Sequence, residues 1–259
     1  MKIQQYYMEE TMKKLVLFFV LGVFIAFPFQ SIQAGESIDY TVNGMPYEGY
    51  GAHASGPSKG LVLIIHDWDG LTDYEVKRAD MLAELGYDAF ALDIYGKDNR
   101  PQTTEAKKAA TGSLYKDRET MRERLLGSLA QARMFSAGKT VVMGYCFGGA
   151  ATLELARSGK AGTIAGYTTF HGGLATPEGQ SYPADTPPML VAHGGADTSV
   201  TMKDVASLTE QLEANGTSYE VQVYSGAPHA FTVFGSKRYR QVADEQSWEA
   251  FKDFLAANL

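Results

Sequence analysis

Gly144-Tyr145-Cys146-Phe147-Gly148-Gly149 joins an apolar, β-branched run, Thr140-Val141-Val142-Met143, to a run of helical spacing over 150–157. A strand, a sharp turn and a helix in that order form a nucleophile elbow of the G-x-S-x-G kind, here with a thiol in place of the usual hydroxyl. Glycines two before and two after Cys146 let the chain turn where a Cβ would strike the strand or the helix. The turn lifts Cys146 above a sheet and sets it at a helix N-terminus, whose partial positive charge favours a thiolate. A buried structural cysteine is the competing reading of the residue taken alone, because free cysteine packs well in cores.

On either side of the elbow, strand-like and helix-like runs alternate from about residue 60 to the end. Residues 61–65 are continuously apolar, as in a strand buried on both faces. A helix is predicted over 72–85, stopped by Gly86, and a short strand over 88–92. Helical patterns follow over 103–111 and 115–135, then the elbow strand at 141–143. Further strands are predicted at 164–169, 189–192 and 219–224, with helices over 200–214 and 240–257. Before residue 60, the runs 38–42 and 47–53 flank Asn43-Gly44, a strong hairpin signal. The expected fold is α/β: a mainly parallel central sheet, an antiparallel N-terminal hairpin at one edge, and helices on both faces. One domain is expected over 35–259, with no internal repeat or linker.

Residues 1–34 stand apart. Lys13-Lys14 precedes an apolar run over 15–29, and Ser31-Ile32-Gln33-Ala34 offers a cleavage site before Gly35. That order predicts a secretory signal peptide, with Met12 as the effective start. The apolar run is shorter than the ~20 residues of a spanning helix, so no stable membrane anchor is expected after cleavage. The expected location is periplasmic or secreted. Residues 1–34 carry three basic and two acidic residues, so their removal takes the formal charge from −7 to −8. An acidic exported protein is a poor partner for nucleic acid or anionic membranes. The single cysteine cannot form an internal disulfide, and an unpaired thiol in an oxidising compartment points to chemistry.

In an open α/β sheet the site forms at the carboxyl ends of the strands. Those ends here carry His66-Asp67-Trp68-Asp69-Gly70, Asp93-Ile94-Tyr95-Gly96-Lys97, the elbow, His171-Gly172-Gly173, His193-Gly194-Gly195-Ala196-Asp197, and Ser225-Gly226-Ala227-Pro228-His229-Ala230-Phe231. A thiol nucleophile needs a base, and the base needs an orienting acid. Cys146, Asp197 and His229 follow one another in the order nucleophile, acid, histidine, each after a strand. His66 precedes the nucleophile in the chain, and His171 and His193 begin His-Gly turns where backbone hydrogen bonding is an ordinary role. No H-x-H or H-x-x-x-H spacing suggests a metal.

These three segments, Gly144–Gly149, His193–Asp197 and Ala227–Phe231, make the chain similar to the dienelactone hydrolase family of α/β-hydrolases over essentially all of 35–259. The resemblance implies hydrolysis of a small ester or lactone by a Cys-Asp-His triad, with no metal or organic cofactor. Carried over, Cys146 is the nucleophile, His229 the base and later acid, and Asp197 its orienting carboxylate. The oxyanion hole falls to the backbone amides of Phe147 and Trp68. An acid that contacts the resting thiol falls to Asp67, where the family more often has glutamate, with Asp69 as the fallback. Of two cations that grip a substrate carboxylate, Lys97 with neighbouring Arg100 stands in one place and Val233 in the other. Tyr95 joins Lys97 and Arg100 as a candidate substrate contact. A monomer or dimer is expected. The alternatives are a carboxylesterase or thioesterase on another acyl substrate, and a non-catalytic ligand-binding homologue.

Overall fold

The computed structural model describes residues 35–259, and the signal-peptide reading of 1–34 lies outside them. Strands β1 (Glu36–Val42) and β2 (Met45–Ala52) form the antiparallel hairpin. Both turn residues, Asn43 and Gly44, lie in the left-handed region, at φ 51° and 77°. That conformation matches the right-handed twist of the two strands.

The chain continues through β3 (Leu61–Ile65), α1 (Asp73–Glu84), β4 (Asp88–Leu92), α2 (Thr104–Lys116), α3 (Arg118–Phe135), β5 (Thr140–Tyr145) and α4 (Phe147–Ser158). It ends with β6 (Gly166–Phe170), β7 (Met189–Gly194), α5 (Met202–Asn215), β8 (Tyr219–Tyr224) and α6 (Gln241–Asn258). The eight strands run in the order β1-β2-β4-β3-β5-β6-β7-β8. β2 meets β4 antiparallel, and every pairing from β4 to β8 is parallel.

Alternation along the strands divides the core in two. Leu61, Leu63 and Ile65 pack with Leu125, Leu129, Leu153 and Leu208 of α3, α4 and α5. Val62 and Ile64 point the other way, to Leu82 of α1 and to Phe251 and Leu255 of α6. Helices thus cover both faces, which is why the central strands read as continuous apolar runs.

The boundary between the two middle helices differs from the sequence reading. They meet at Asp117, which ends α2 and starts α3. Its carboxylate accepts from Thr120 N at 3.0 Å and Thr120 Oγ1 at 2.7 Å, satisfying donors that a helix start leaves open.

Candidate active site

The elbow forms between β5 and α4, with Cys146 at φ 50° and ψ −108°. Close packing, rather than an unusual φ, requires glycine on both sides of it. A Cβ on Gly144 would sit 2.2 Å from Gly148 O, and one on Gly148 would sit 2.1 Å from Ile65 O. The strained nucleophile is anchored by Cys146 N donating to Phe170 O at 3.0 Å, and by Cys146 O accepting from Ala150 N at 3.2 Å.

Cys146, His229 and Asp197 come together although 83 and 32 positions separate the bonded pairs. His229 Nε2 lies 3.0 Å from Cys146 Sγ, and His229 Nδ1 lies 2.8 Å from Asp197 Oδ2. The other Asp197 oxygen accepts from Ser199 N at 2.8 Å and Val200 N at 2.9 Å. Burial works against the Asp197 charge, yet the His229 hydrogen bond and those amides hold its carboxyl below the ordinary carboxylate range.

The loop after β3 closes the other side. The Asp67 carboxyl and the Cys146 thiol are near enough for the acid to disfavour the thiolate. Asp67 Oδ1 also accepts the Trp68 amide hydrogen. Of the two amides assigned to an oxyanion, Phe147 N–H faces the sulfur, whereas Trp68 N–H is engaged by Asp67. The helix N-terminus is opposed at the sulfur by burial and by a neighbouring acid. Enclosure and the Asp67 carboxyl push the thiol pKa well up, and the Phe147 amide only partly opposes them. Burial, then the Asp69 charge, raises Asp67 itself to about 6.

The loop carrying Asp67 and Trp68 is tied at several atoms. His66 Nδ1 lies 2.6 Å from Asp67 O, and His66 Nε2 accepts from Ile94 N at 3.3 Å. That pairing places the imidazole proton on Nδ1, and burial keeps the ring neutral by lowering its pKa. Tyr95 holds this loop, because its hydroxyl donates to Trp68 O at 3.0 Å and its ring stacks on Phe147. Glu75 is fully buried on α1 and accepts from Asp67 N and from Thr72.

Lys97 and Arg100 are not turned to the thiol. Lys97 pairs with Asp39 and Glu48 beside the hairpin. Arg100 Nη1 bonds Asp93 Oδ2 at 3.2 Å and its Nη2 donates to Glu48 O. Both cations are paired with carboxylates where they stand. Lys107, which sequence reasoning passed over, ties down the fallback acid Asp69 at 3.4 Å.

Behind His229 lies a polar network that sequence reasoning also missed. The His171 ring meets the His229 ring edge-to-face at 5.4 Å, and His171 Nε2 lies 2.8 Å from Thr232 Oγ1. Thr232 Oγ1 is also 2.7 Å from the Tyr74 hydroxyl, and Thr232 O accepts from Arg78 Nη2 at 3.2 Å. Arg78 is itself buried and paired with Asp244. His171 therefore bonds a hydroxyl rather than the backbone. A cavity of about 330 Å³ opens beside the first turn of α4, lined in part by Tyr115, Ala150, Gly173, Leu174 and Val200.

The dienelactone hydrolase family matches this chain over residues 47–259. The chain belongs to that family. It is accordingly a carboxylic ester hydrolase on the α/β-hydrolase fold. A Bradyrhizobium protein named "probable 2-oxo-3-(5-oxofuran-2-ylidene)propanoate lactonase" is 27% identical over 199 residues, spanning 72% of this chain and 79% of its own. The carboxymethylenebutenolidase of Pseudomonas putida is 27% identical over 224 residues, spanning 81% and 93%. Among solved structures, a dienelactone hydrolase-like promiscuous phosphotriesterase from metagenomic libraries superposes with a TM-score of 0.77 at 26% identity, covering 86% of this chain and 98% of that one.

Proposed function

We propose that this dienelactone hydrolase family member cleaves a small ester or lactone through an acyl-enzyme on Cys146. The observation that carries this reading is the unbroken chain Cys146 Sγ, His229, Asp197, with contacts of 3.0 and 2.8 Å. His229 presents Nδ1–H to Asp197, which leaves Nε2 free to take the thiol proton. Sulfur then attacks the carbonyl carbon, and the Asp197 carboxylate stabilises the imidazolium that forms.

The tetrahedral oxyanion is held by the Phe147 amide and by the Trp68 amide once Asp67 releases it. Fixed amides of this kind contribute about 2.7–4 kcal/mol each in comparable acyl transfer. Collapse breaks the carbon–oxygen bond, the imidazolium protonates the leaving alkoxide, and a thioester remains. For a lactone the alkoxide stays tethered to the acyl group. Water then gives a proton to His229, attacks the thioester and releases the acid, and the proton returns to sulfur.

The lactone-directed names of the Bradyrhizobium and Pseudomonas relatives support a lactone or small ester as substrate. With p-nitrophenyl acetate, the purified protein is expected to give a burst of p-nitrophenol stoichiometric with enzyme. Cys146→Ala is expected to give none, and a burst in that variant would refute the covalent step. Export to the periplasm or beyond is part of the same reading, supported by the signal pattern over 1–34. Its check is cell fractionation with the protein's N-terminus sequenced, a processed chain starting at Gly35 being the expected result.

A further inference from the structure

We infer that Glu75 is a positioning residue of this site, holding the backbone from Asp67 to Thr72 and with it the Trp68 amide proposed above for the oxyanion. The inference rests on the acyl-transfer reading above. Glu75 begins as an ordinary helix-start residue, for Thr72-Asp73-Tyr74-Glu75 is a capping box. Its Oε2 accepts from Thr72 N at 2.9 Å and from Thr72 Oγ1 at 2.7 Å. Its second oxygen does something the motif does not require: Oε1 accepts from Asp67 N at 3.2 Å, eight positions upstream.

One carboxyl thus grips both ends of the loop that carries Asp67 and Trp68. The fold contains an internal comparison. At the start of α5, Asp204 forms the same box with Thr201, through Thr201 N and Thr201 Oγ1. That box lies at the surface, and among the described residues Asp204 accepts from no second segment. Glu75 has no exposed surface and no cation opposite it among the described residues. A cap alone does not need such burial, which is unfavourable for an acid without a counter-charge.

The grip on Asp67 N needs only an acceptor oxygen, so it holds whether the carboxyl is ionised or protonated. Glutamine in place of Glu75 keeps that oxygen. The groups facing this carboxyl are Thr72 from its own helix start and the Asp67 loop, with Asp69, Cys146 and His229 beyond Asp67.

The test compares Glu75→Ala, Glu75→Gln and Asp204→Ala in the full protein, by burst kinetics with p-nitrophenyl acetate. Affinity for a trifluoromethyl ketone, which forms a tetrahedral oxyanion on sulfur, is measured against that for acetate. Glu75→Ala is expected to slow acylation and weaken the ketone by about 10- to 100-fold, the loss that displacement of a catalytic group by roughly 1 Å produces. The substrate dissociation constant from the burst-phase concentration dependence and acetate binding stay put, Glu75→Gln acylates close to wild type, and Asp204→Ala loses melting temperature only. Should Glu75→Ala fail to fold, Glu75→Met fills the volume without accepting a hydrogen bond and carries the same expectation. Unchanged acylation in the folded Ala or Met variant, or a ketone loss in Asp204→Ala equal to that in Glu75→Ala, overturns the inference. A wild type without a burst overturns the acyl-enzyme reading instead, and the two failures are therefore distinct.

Discussion

The Asp67 carboxylate accepts the amide hydrogen of Trp68, the hydrogen that a substrate oxyanion would use. The same carboxyl raises the pKa of the Cys146 thiol. One side chain thus occupies the Trp68 amide and adds to the burial that disfavours a charged sulfur.

Asp67→Asn keeps the shape and removes the charge. The thiol pKa is expected to fall, because a cause of its rise is gone. Alkylation by iodoacetamide near pH 7 is then expected to speed up by about three- to fourfold for each unit of the fall, because the gain in thiolate is partly offset by its lower nucleophilicity. A rate–pH profile identical to wild type would show that enclosure alone governs the sulfur.

Glu75 makes stability depend on pH in a defined direction. Burial raises its pKa from an ordinary 4.5 to about 8, so the native state binds a proton that the unfolded state has released between those values. Stability falls as pH rises through that window, at most by about 1.4 kcal/mol per pH unit from this group. Glu75→Gln should flatten the fall. Urea titrations of both proteins at pH 5 and pH 8 measure it, and equal slopes would contradict the raised acid.

Arg78 and Asp244 form a buried ion pair beneath the His229 loop. Arg78→Met is expected to cost about 3–5 kcal/mol by leaving Asp244 unpaired, and the double variant with Asp244→Leu is expected to cost less. Denaturant unfolding of the two single variants and the double variant measures the coupling.

Gly148→Ala places a methyl group 2.1 Å from Ile65 O, and backbone at that depth cannot yield. Little soluble, active protein is expected. Gly179→Ala, with φ 77° and open space around it, is expected to cost only about 1–2 kcal/mol of backbone strain. Soluble yield and thermal melting separate the two.

Lys97→Ala is expected to leave KM unchanged for both neutral and carboxylate-bearing esters, because its ammonium is committed to Asp39 and Glu48. A selective rise in KM for the anionic esters would return Lys97 to the substrate site.

The element order was legible because buried parallel strands and amphipathic helices leave different periods in the chain. The grouping of Cys146, Asp197 and His229 was legible from their order at strand ends. The state of the thiol was not, since the elbow reports the helix dipole but not the carboxyl that the β3 loop brings to the sulfur. The carboxylate partners of Lys97 and Arg100 were not legible, because charge is visible in a sequence and its partners are not. Glu75 did leave a trace in Thr72-x-x-Glu75, yet only the fold shows its second oxygen on Asp67 N. The contact between Arg78 and Thr232 spans 154 positions, and no local pattern announces it.

Within the first six residues of α1, Glu75 ties the loop that bears the Trp68 amide, while Tyr74 and Arg78 tie the loop that bears His229. Neither loop is an independent module, because one helical turn is keystone to both. Transplanting a β3 loop or a His229 loop from a relative to change its substrate would leave the graft unmoored unless residues 74–78 travelled with it.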